Sequence, residues 1–281
     1  MDIELHLRRA AEVLSDADAL LFTAGAGIGV DSGLPDFRGD KGFWKAYPII
    51  AKLGLSFVEM ANPEWFQGNP KLAWAFYGHR LNLYRKTYPH DGFHILLELA
   101  RRKPGGYFVF SSNVDGQFQK AGFDENRIVE CHGSIHWFQC VQECSDLIWD
   151  AGEVELTVEE ESFKALDPLP KCPKCGKLAR PNILMFGDWQ WNPRRTDEQS
   201  ARLRQWLNRV SEKKASLAIV EAGAGRAVST VRSTSESIAA KYGATLVRIN
   251  PRDFDVSCER HVSIPLGALE GISRINRIVE G

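Results

Sequence analysis

The chain has 281 residues, of which 44% are hydrophobic and 25% are charged, a composition typical of a folded protein with about two domains. Its 35 basic and 36 acidic side chains give a formal net charge of -1, which excludes a global positive field for nucleic acid or an anionic membrane. The apolar stretch at residues 19–30 is interrupted by glycines and is shorter than the roughly 20 residues of a membrane-spanning helix. We therefore expect no membrane partner, and the composition disfavours nucleic-acid binding.

The first residues lack the basic, apolar and small-residue order of a secretory signal, so we expect a cytoplasmic protein. A reducing compartment disfavours structural disulfides, and the six cysteines need another explanation. Cys131 and Cys258 stand alone, and we interpret them as small buried side chains.

Helix-like and strand-like patterns alternate along the chain. Apolar residues at helical spacing in residues 3–14 predict a helix, and residues 19–23 predict a buried strand. Further short apolar runs, separated by segments long enough for crossover helices, occur at residues 107–110, 127–131, 217–220 and 245–249. This alternation predicts an α/β fold with a doubly wound parallel sheet.

Two stretches interrupt this alternation. Residues 40–91 are rich in aromatic side chains and prolines, which we interpret as a mobile loop followed by a small helical module. Residues 139–178 contain four cysteines and many acidic residues, and such an acidic run is typical of a solvated surface excursion.

A glycine-rich segment, residues 25–33 (GAGIGVDSG), follows the first predicted strand. At this position backbone amides and a helix N-terminus can hold a phosphate, so the segment suits a nucleotide. A Rossmann fingerprint would require glycine where Val30 stands, so the usual hydride-transfer signature is absent. A tight turn alone would also explain these glycines.

Two close cysteine pairs predict a structural zinc site. Cys140 and Cys144 form the first pair, and Cys172 and Cys175 form the second, within a Cys-Pro-Lys-Cys-Gly knuckle. Four thiolates complete a tetrahedral zinc site and leave no open position, so the metal is expected to be structural and not catalytic. The alternative is four unpaired cysteines.

Residues 25–39 (GAGIGVDSGLPDFRG) closely resemble the glycine segment of the sirtuins, the NAD-dependent protein lysine deacylases. Five further elements resemble the family in the family's order: residues 112–116 (SNVDG), 131–134 (CHGS), 183–188 (ILMFGD), 223–225 (GAG) and 249–250 (IN). The chain departs from the family pattern at Gly29 and Ser112, where serine and glutamine are usual. The resemblance covers most of the chain, and the four-cysteine module lies where sirtuins carry zinc.

The resemblance implies a reaction with NAD as co-substrate. The acyl-lysine carbonyl oxygen attacks the ribose C1′ as nicotinamide leaves, and the 2′-hydroxyl then takes the acyl group to give O-acyl-ADP-ribose. His132 is our candidate base, because an imidazole with a pKa near 6.5 accepts a hydroxyl proton at neutral pH. By resemblance Asn113 orders the ribose or a water, and Asp115 holds the nicotinamide carboxamide. Without the resemblance, a strand cap and a turn would explain these residues.

The resemblance also implies a loop that covers the cofactor. On this loop Arg38 would contact phosphate, and the ring of Phe37 would shield the C1′ face from water. The remaining expected cofactor-binding residues are Gly25, Ala26, Gly27, Asp36, Ser112, Gly223, Ala224, Gly225 and Asn250.

Three residues are predicted to bind the acyl-lysine substrate. Tyr77 and Arg80 are three residues apart on a predicted helix, where a hydroxyl and a guanidinium on one face can bind a carboxylate. The arrangement resembles the class III sirtuins, some of them bacterial, that recognise succinyl, malonyl and glutaryl lysine. Phe186 is expected on a strand that lines the lysine tunnel and pairs with an extended peptide. A chance pair on a helix surface is the alternative for Tyr77 and Arg80.

Two other functions remain open from the sequence. The Ser112 departure keeps an ADP-ribosyltransferase or NAD glycohydrolase at the same NAD site possible. A non-catalytic protein with a zinc knuckle is the second alternative, although the basic residues between 194 and 214 are typical of a solvated helix face.

The predicted organisation has three parts. Residues 1–42, 92–138 and 179–281 form a Rossmann-like NAD-binding domain, residues 43–91 the cofactor loop and helical module, and residues 139–178 the zinc-binding module. The sequence leaves the protein targets, the preferred acyl chain and the oligomeric state open.

Overall fold

The computed structural model describes residues 2–35, 39–152, 154–159 and 161–281, without the side chains of residues 39–41. Its strands are β1 (Ala19–Ala24), β2 (Tyr107–Ser111), β3 (Ile128–Glu130), β4 (Gly133–Cys140), β5 (Ile148–Asp150), β6 (Val158–Glu159), β7 (Lys164–Ala165), β8 (Ala179–Ile183), β9 (Leu217–Ala222), β10 (Thr245–Ile249) and β11 (Val262–Ile264). Its α-helices are α1 (Ile3–Asp16), α2 (Gly39–Ala46), α3 (Pro48–Lys52), α4 (Phe57–Met60), α5 (Trp65–Gly68), α6 (Pro70–Lys86), α7 (Asp91–Arg101), α8 (Gln117–Lys120), α9 (Arg194–Glu212), α10 (Thr230–Tyr242) and α11 (Ala268–Glu280). Two 3-10 helices, Ala26–Ser32 and Glu125–Arg127, complete the described elements.

The main sheet has six strands in the order β3-β2-β1-β9-β10-β11, and every described pairing within it is parallel. Phe22 in the central strand β1 lies opposite Val109 of β2 and Val220 of β9. The strand order reverses between β1 and β9, and ligands of open α/β sheets bind at such a reversal. The predicted doubly wound sheet is confirmed, with one strand, β11, that the sequence patterns did not identify.

Both faces of this sheet are buried. Every residue of β1 and β9 is buried, as expected for parallel strands covered by helices on both sides. The side chain of Asp2 caps α1 by accepting from the Glu4 and Leu5 backbone amides, and Leu7 on the apolar face of α1 enters the core. On the opposite sheet face, α9 buries Trp206 against Phe108. These two layers hold the strand ends in place.

A second core lies beside the main sheet. It is built on α6 and on β4, which pairs antiparallel with β5 and β8. Trp74 of α6 is fully buried, and its indole N–H donates to the Ala179 carbonyl of β8 at 3.1 Å. This contact joins the helical module to β8, and the segment that follows β8 lines the cavity described below.

The structure adds detail to both inserted segments. In residues 40–91, where the sequence predicts a loop followed by a helical module, α2, α3 and α4 already occupy much of residues 39–60, because apolar side chains such as Phe43 and Met60 enter the second core. The acidic stretch is not only a surface excursion, since Leu156 and Phe163 are buried in the same core. The many acidic residues of this stretch made it look solvated, so its buried apolar residues were not predicted.

The long basic helix α9 agrees with the interpretation of a solvated face, since Arg194, Arg204 and Arg209 are exposed. No helix within the described part of the chain is both long enough and apolar enough to span a bilayer.

Candidate functional site

A cavity of about 540 Å³ lies where strands of the main sheet end, at the reversal of strand order. Gly25 follows β1, Ser112 follows β2 and Gly223 follows β9, and all three line this cavity. Side chains of α6 and of the segment after β8 line its other side. The volume falls within the roughly 300–1,000 Å³ typical of ligand pockets.

The two glycine loops of the cavity cross in direct contact. A Cβ on Gly25 would lie 2.8 Å from the Ala224 Cα. Gly223 has a positive φ of 67°, and a Cβ there would overlap the Ile28 nitrogen. The Gly27 amide donates to the Gly223 carbonyl at 3.0 Å. Only glycine permits this approach at residues 25 and 223, which leaves a backbone cradle with small side chains, suited to a dinucleotide.

Two predicted cofactor residues lie behind the cavity wall. Gly27 and Asn250 are not among the residues that the structure places along the cavity. Asn250 is buried, and its side-chain amide donates to the Ala224 carbonyl at 2.7 Å. Its Oδ1 accepts from the Arg252 and Asp253 backbone amides. In this arrangement Asn250 supports the loop of residues 223–225, whose three residues line the cavity.

Asn113 and Asp115 enter the cavity from the loop after β2. The Asn113 side-chain amide donates to the Gly25 carbonyl at 3.2 Å, which ties the two strand ends together. The Asp115 carboxylate accepts from the Gln117 backbone amide at 3.0 Å. Burial raises the pKa of Asp115 to about 6, and the nearby Glu130 carboxylate adds to the increase. This carboxyl therefore titrates close to neutral pH.

His132 lines the same cavity between β3 and β4. Burial lowers the pKa of the imidazole, and a hydrogen bond with the Ser112 backbone opposes part of this decrease. The ring is therefore neutral at neutral pH and can accept a proton. The His132 carbonyl accepts from the Leu184 amide at 3.0 Å, which links the imidazole-bearing turn to the segment after β8.

Helix α9 anchors the strand that leads to His132. Arg195 forms an ion pair of 2.6 Å with the buried Glu130 carboxylate, and the Thr196 hydroxyl donates to the Glu130 carbonyl at 3.0 Å. Gln199 accepts from the Glu130 amide at 3.0 Å. Sequence reasoning missed these residues, because no local pattern indicates a contact across more than 60 positions.

Tyr77 and Arg80 lie together in α6 and line the cavity. The Tyr77 hydroxyl is buried without a hydrogen-bond partner among the described residues. Burial raises its pKa to about 12, so the group remains a donor. The Arg80 Nε donates to the Tyr84 hydroxyl at 3.1 Å, and its guanidinium carbon lies 5.2 Å from the centroid of the Phe76 ring. A buried cation beside a free hydroxyl can bind a carboxylate. Sequence reasoning missed Tyr84.

Phe186 lines the cavity and is 39% exposed, but it is not on a strand. Strand β8 ends at Ile183, so the prediction of a strand over residues 183–188 was wrong. The buried Asp188 carboxylate pairs with Arg180 and accepts from the Met185 amide, which turns the chain. The Phe186 amide donates to the Ala61 carbonyl at 2.9 Å. This contact fixes the segment against the helical module.

The four predicted zinc ligands lie together. The Sγ atoms of Cys140, Cys144, Cys172 and Cys175 all lie within 4.8 Å of one another, and two of the pairs are 3.6 Å apart. A tetrahedral site with zinc–sulfur bonds of about 2.3 Å requires sulfur atoms about 3.8 Å apart, so the thiols fit structural zinc. The Gly176 amide donates to the Cys172 carbonyl at 2.9 Å and closes the predicted knuckle.

The expectation of a small buried side chain was wrong for Cys258, which is exposed. Cys131 is partly buried and packs against the core that contains Trp206. The predictions for Asp36, Phe37 and Arg38 fall outside the described residues.

A model of the Sir2 family matches residues 25–204 of the chain. A protein of Thermococcus kodakarensis named "NAD-dependent protein deacylase" is 37% identical over 186 residues. The match covers 65% of this chain and 65% of the relative, just under two thirds of its length. A protein of Thermus thermophilus with the same name is 30% identical over 277 residues, or 95% of this chain and 93% of the relative.

Solved structures resemble the whole chain. A crystal structure of a Sir2 homologue in complex with NAD is 26% identical, has a TM-score of 0.70, and is matched over 100% of this chain and 94% of that chain. A mutant Sir2 homologue in complex with 2′-O-acetyl ADP ribose gives the same identity and TM-score over 100% and 97% of the two chains. With the family match over more than half of the sequence, the chain belongs to the Sir2 family.

Proposed function

We propose that this chain is an NAD-dependent protein deacylase acting on acyl-lysine in proteins or peptides. One observation carries the proposal: the His132 imidazole, the two glycine loops and the Tyr77–Arg80 pair all line one cavity. The candidate base, the candidate dinucleotide site and the candidate acyl-binding pair therefore lie in the same cavity. The names of the curated relatives support the same activity.

The chain's own groups fit NAD at this site. Bound NAD supplies a reactive glycosidic bond and a ribose 2′-hydroxyl that accepts the acyl group. The loops at Gly25 and Gly223 leave a backbone surface that a pyrophosphate can approach. Asn113 and Asp115 stand at the neighbouring strand end, where they can bind the ribose and the nicotinamide amide.

His132 is the proposed general base. A lowered pKa keeps its imidazole neutral at neutral pH, so a ring nitrogen can accept the proton of the ribose hydroxyl. The Leu184 amide holds the turn that carries the ring. Fixed placement of a neutral base is what the second attack requires.

We further propose a preference for acidic acyl groups such as succinyl, malonyl and glutaryl. Tyr77 offers a buried hydroxyl without a partner among the described residues, and Arg80 offers a buried positive charge. A carboxylate at the end of the acyl chain would accept from the Tyr77 hydroxyl and lie beside the Arg80 cation, whereas an acetyl group carries no charge for Arg80 to bind. Phe186 would line the lysine tunnel at the cavity mouth.

We also propose a cytoplasmic location. A reducing compartment keeps thiols in the form that binds zinc, and the four clustered cysteines are all free.

The direct test is to incubate the protein and its His132→Ala variant with NAD and acetyl, succinyl and longer acyl-lysine peptides, then to weigh the products. We expect free lysine peptide, nicotinamide and O-acyl-ADP-ribose, with turnover lost in the variant. ADP-ribosylated protein, or free ADP-ribose without acyl turnover, would instead indicate a transferase or glycohydrolase.

A further inference from the structure

A histidine outside the cavity, His90, holds the segment that forms one of the cavity walls. His90 immediately precedes α7 and is 9% exposed. Its Nε2 lies 2.8 Å from the Ile28 carbonyl oxygen, and its Nδ1 accepts from the Gly92 backbone amide at 3.0 Å. The His90 amide donates to the Ser32 hydroxyl at 3.0 Å. One residue thus joins the start of α7 to the middle and the end of the 3-10 helix after β1.

These contacts fix the protonation of the ring. A carbonyl oxygen only accepts and an amide N–H only donates, so the ring proton is on Nε2 and Nδ1 is bare. The neutral tautomer therefore satisfies both backbone partners at once. Gly92 makes room for the ring, because a Cβ at this position would lie 2.6 Å from the His90 Cε1.

Ile28 stands at the crossing of the two glycine loops. Its amide donates to the carbonyl of Gly25, a cavity residue, at 3.1 Å. From the other loop, Gly223 packs so closely on the Ile28 nitrogen that no Cβ fits between them. A displacement of Ile28 therefore shifts both loops that form the backbone cradle.

We propose that His90 is a positioning residue for NAD: its Nε2–H holds the Ile28 carbonyl and so sets the spacing of the two glycine loops. The inference rests on the proposed function, because it takes the cradle to be the NAD site. Its effect is confined to the dinucleotide, since the proposed acyl contacts Tyr77 and Arg80 lie on α6.

Two substitutions separate the two roles of the ring. Asn in place of His90 keeps an acceptor for the Gly92 amide but is too short to reach the Ile28 carbonyl. Gln in place of His90 brings its amide donor closer to the position of Nε2, but it weakens the hydrogen bond with the Gly92 amide. We expect His90→Asn to weaken NAD binding by about five- to tenfold in calorimetric titration, as the loss of one hydrogen bond implies. The KM for NAD should rise to match, with the KM for acyl-lysine peptide within about twofold. His90→Gln should bind NAD within about twofold of the unaltered chain.

His261→Asn is the matched control. His261 is also buried, and its Nδ1 accepts from the Leu246 amide at 3.1 Å, at the other edge of the sheet. We expect this variant to bind NAD as the unaltered chain does. Provided that the unaltered chain binds NAD, any of three results would overturn the inference. These are NAD binding by His90→Asn as tight as by the unaltered chain, an equal rise in the KM values for NAD and for peptide, or the same loss of NAD affinity in His261→Asn. No NAD binding by the unaltered chain would overturn the proposed function and this inference together.

Discussion

The Asp115 carboxyl is buried at the cavity wall, and its ionisation has a cost for folding. Burial raises its pKa from the ordinary 3.8 to about 6 in the folded chain. The folded state therefore takes up a proton more readily than the unfolded state, and this group lowers stability as pH rises from about 4 through 6. Above pH 6 the full cost is present. A residue that destabilises the fold in this way is typical of a functional site.

Asp115→Asn should therefore stabilise the protein, most strongly at alkaline pH. The amide oxygen still accepts from the Gln117 backbone amide, and the buried charge is gone. We expect the free energy of unfolding in urea to rise by about 3 kcal/mol at pH 8 and by about half as much at pH 5. A loss of stability at pH 8, or an equal gain at both values, would contradict this assignment.

The acyl preference depends on Arg80 and Tyr77. Arg80→Met removes the buried cation at similar side-chain length, so we expect kcat/KM for succinyl-lysine peptide to fall about 10- to 100-fold and that for acetyl-lysine to fall less than about threefold. Arg85→Met on the same helix is the control, since Arg85 donates to the Val154 carbonyl instead. Equal losses on both peptides would refute the acidic-acyl preference.

The sequence predicted site residues that belong to a local motif and missed residues whose contact partners are distant along the chain. Tyr77 and Arg80 are detectable because helical spacing places them on one face. Glu130 and Arg195 meet only after β3 and α9 pack together. Asn250 was expected to contact the cofactor, yet its side chain supports the Ala224 carbonyl. A motif gives the position of a residue and not the direction of its side chain.

Among the elements, the cysteine module ties the second core together. Cys140 ends β4, and the Val141 amide just beyond it donates to the Leu178 carbonyl at 3.1 Å. Zinc held by the four thiols would therefore clamp the end of the strand that starts next to His132. The predicted metal has a structural role, because four sulfur ligands leave no position for a substrate.

Cys172→Ser should lower zinc content from about one ion per chain to well below one and should decrease the melting temperature. A chelator should produce the same change in the unaltered protein. Cys258→Ser is the matched control, because Cys258 is exposed and lies outside the cluster. Zinc content measured by atomic emission decides: no zinc in the unaltered chain, or full zinc in Cys172→Ser, would rule out the site.

The elements that the sequence predicted correctly are those with strong local patterns. Strand β1 and the knuckle at Cys172 both have such patterns. The predicted strand over residues 183–188 was wrong because the apolar run continues past β8, whereas the Arg180–Asp188 ion pair turns the chain there. Two charges buried together are visible only in the folded molecule, and breaking such a pair is costly.

The molecule as a whole places two cores on either side of one cavity. The main sheet contributes the glycine loops and the strand-end polar residues. Helix α6 of the second core contributes Tyr77 and Arg80, and the segment after β8 contributes Phe186. Alternating patterns predicted the sheet, because each strand and helix is a local feature. The assembly of the second core was not predictable, because it depends on long-range contacts such as that of Trp74 with Ala179.

The central claim is that acyl transfer to the ribose of NAD occurs in this cavity with His132 as base. The most direct measurement is the mass of the ADP-ribose product formed from a peptide whose acyl-lysine carbonyl carries ¹⁸O. We predict O-acyl-ADP-ribose that retains the label on the ribose, since the carbonyl oxygen bonds to C1′, and no such product from His132→Ala. ADP-ribose without label, or labelled product in equal yield from His132→Ala, would contradict the account.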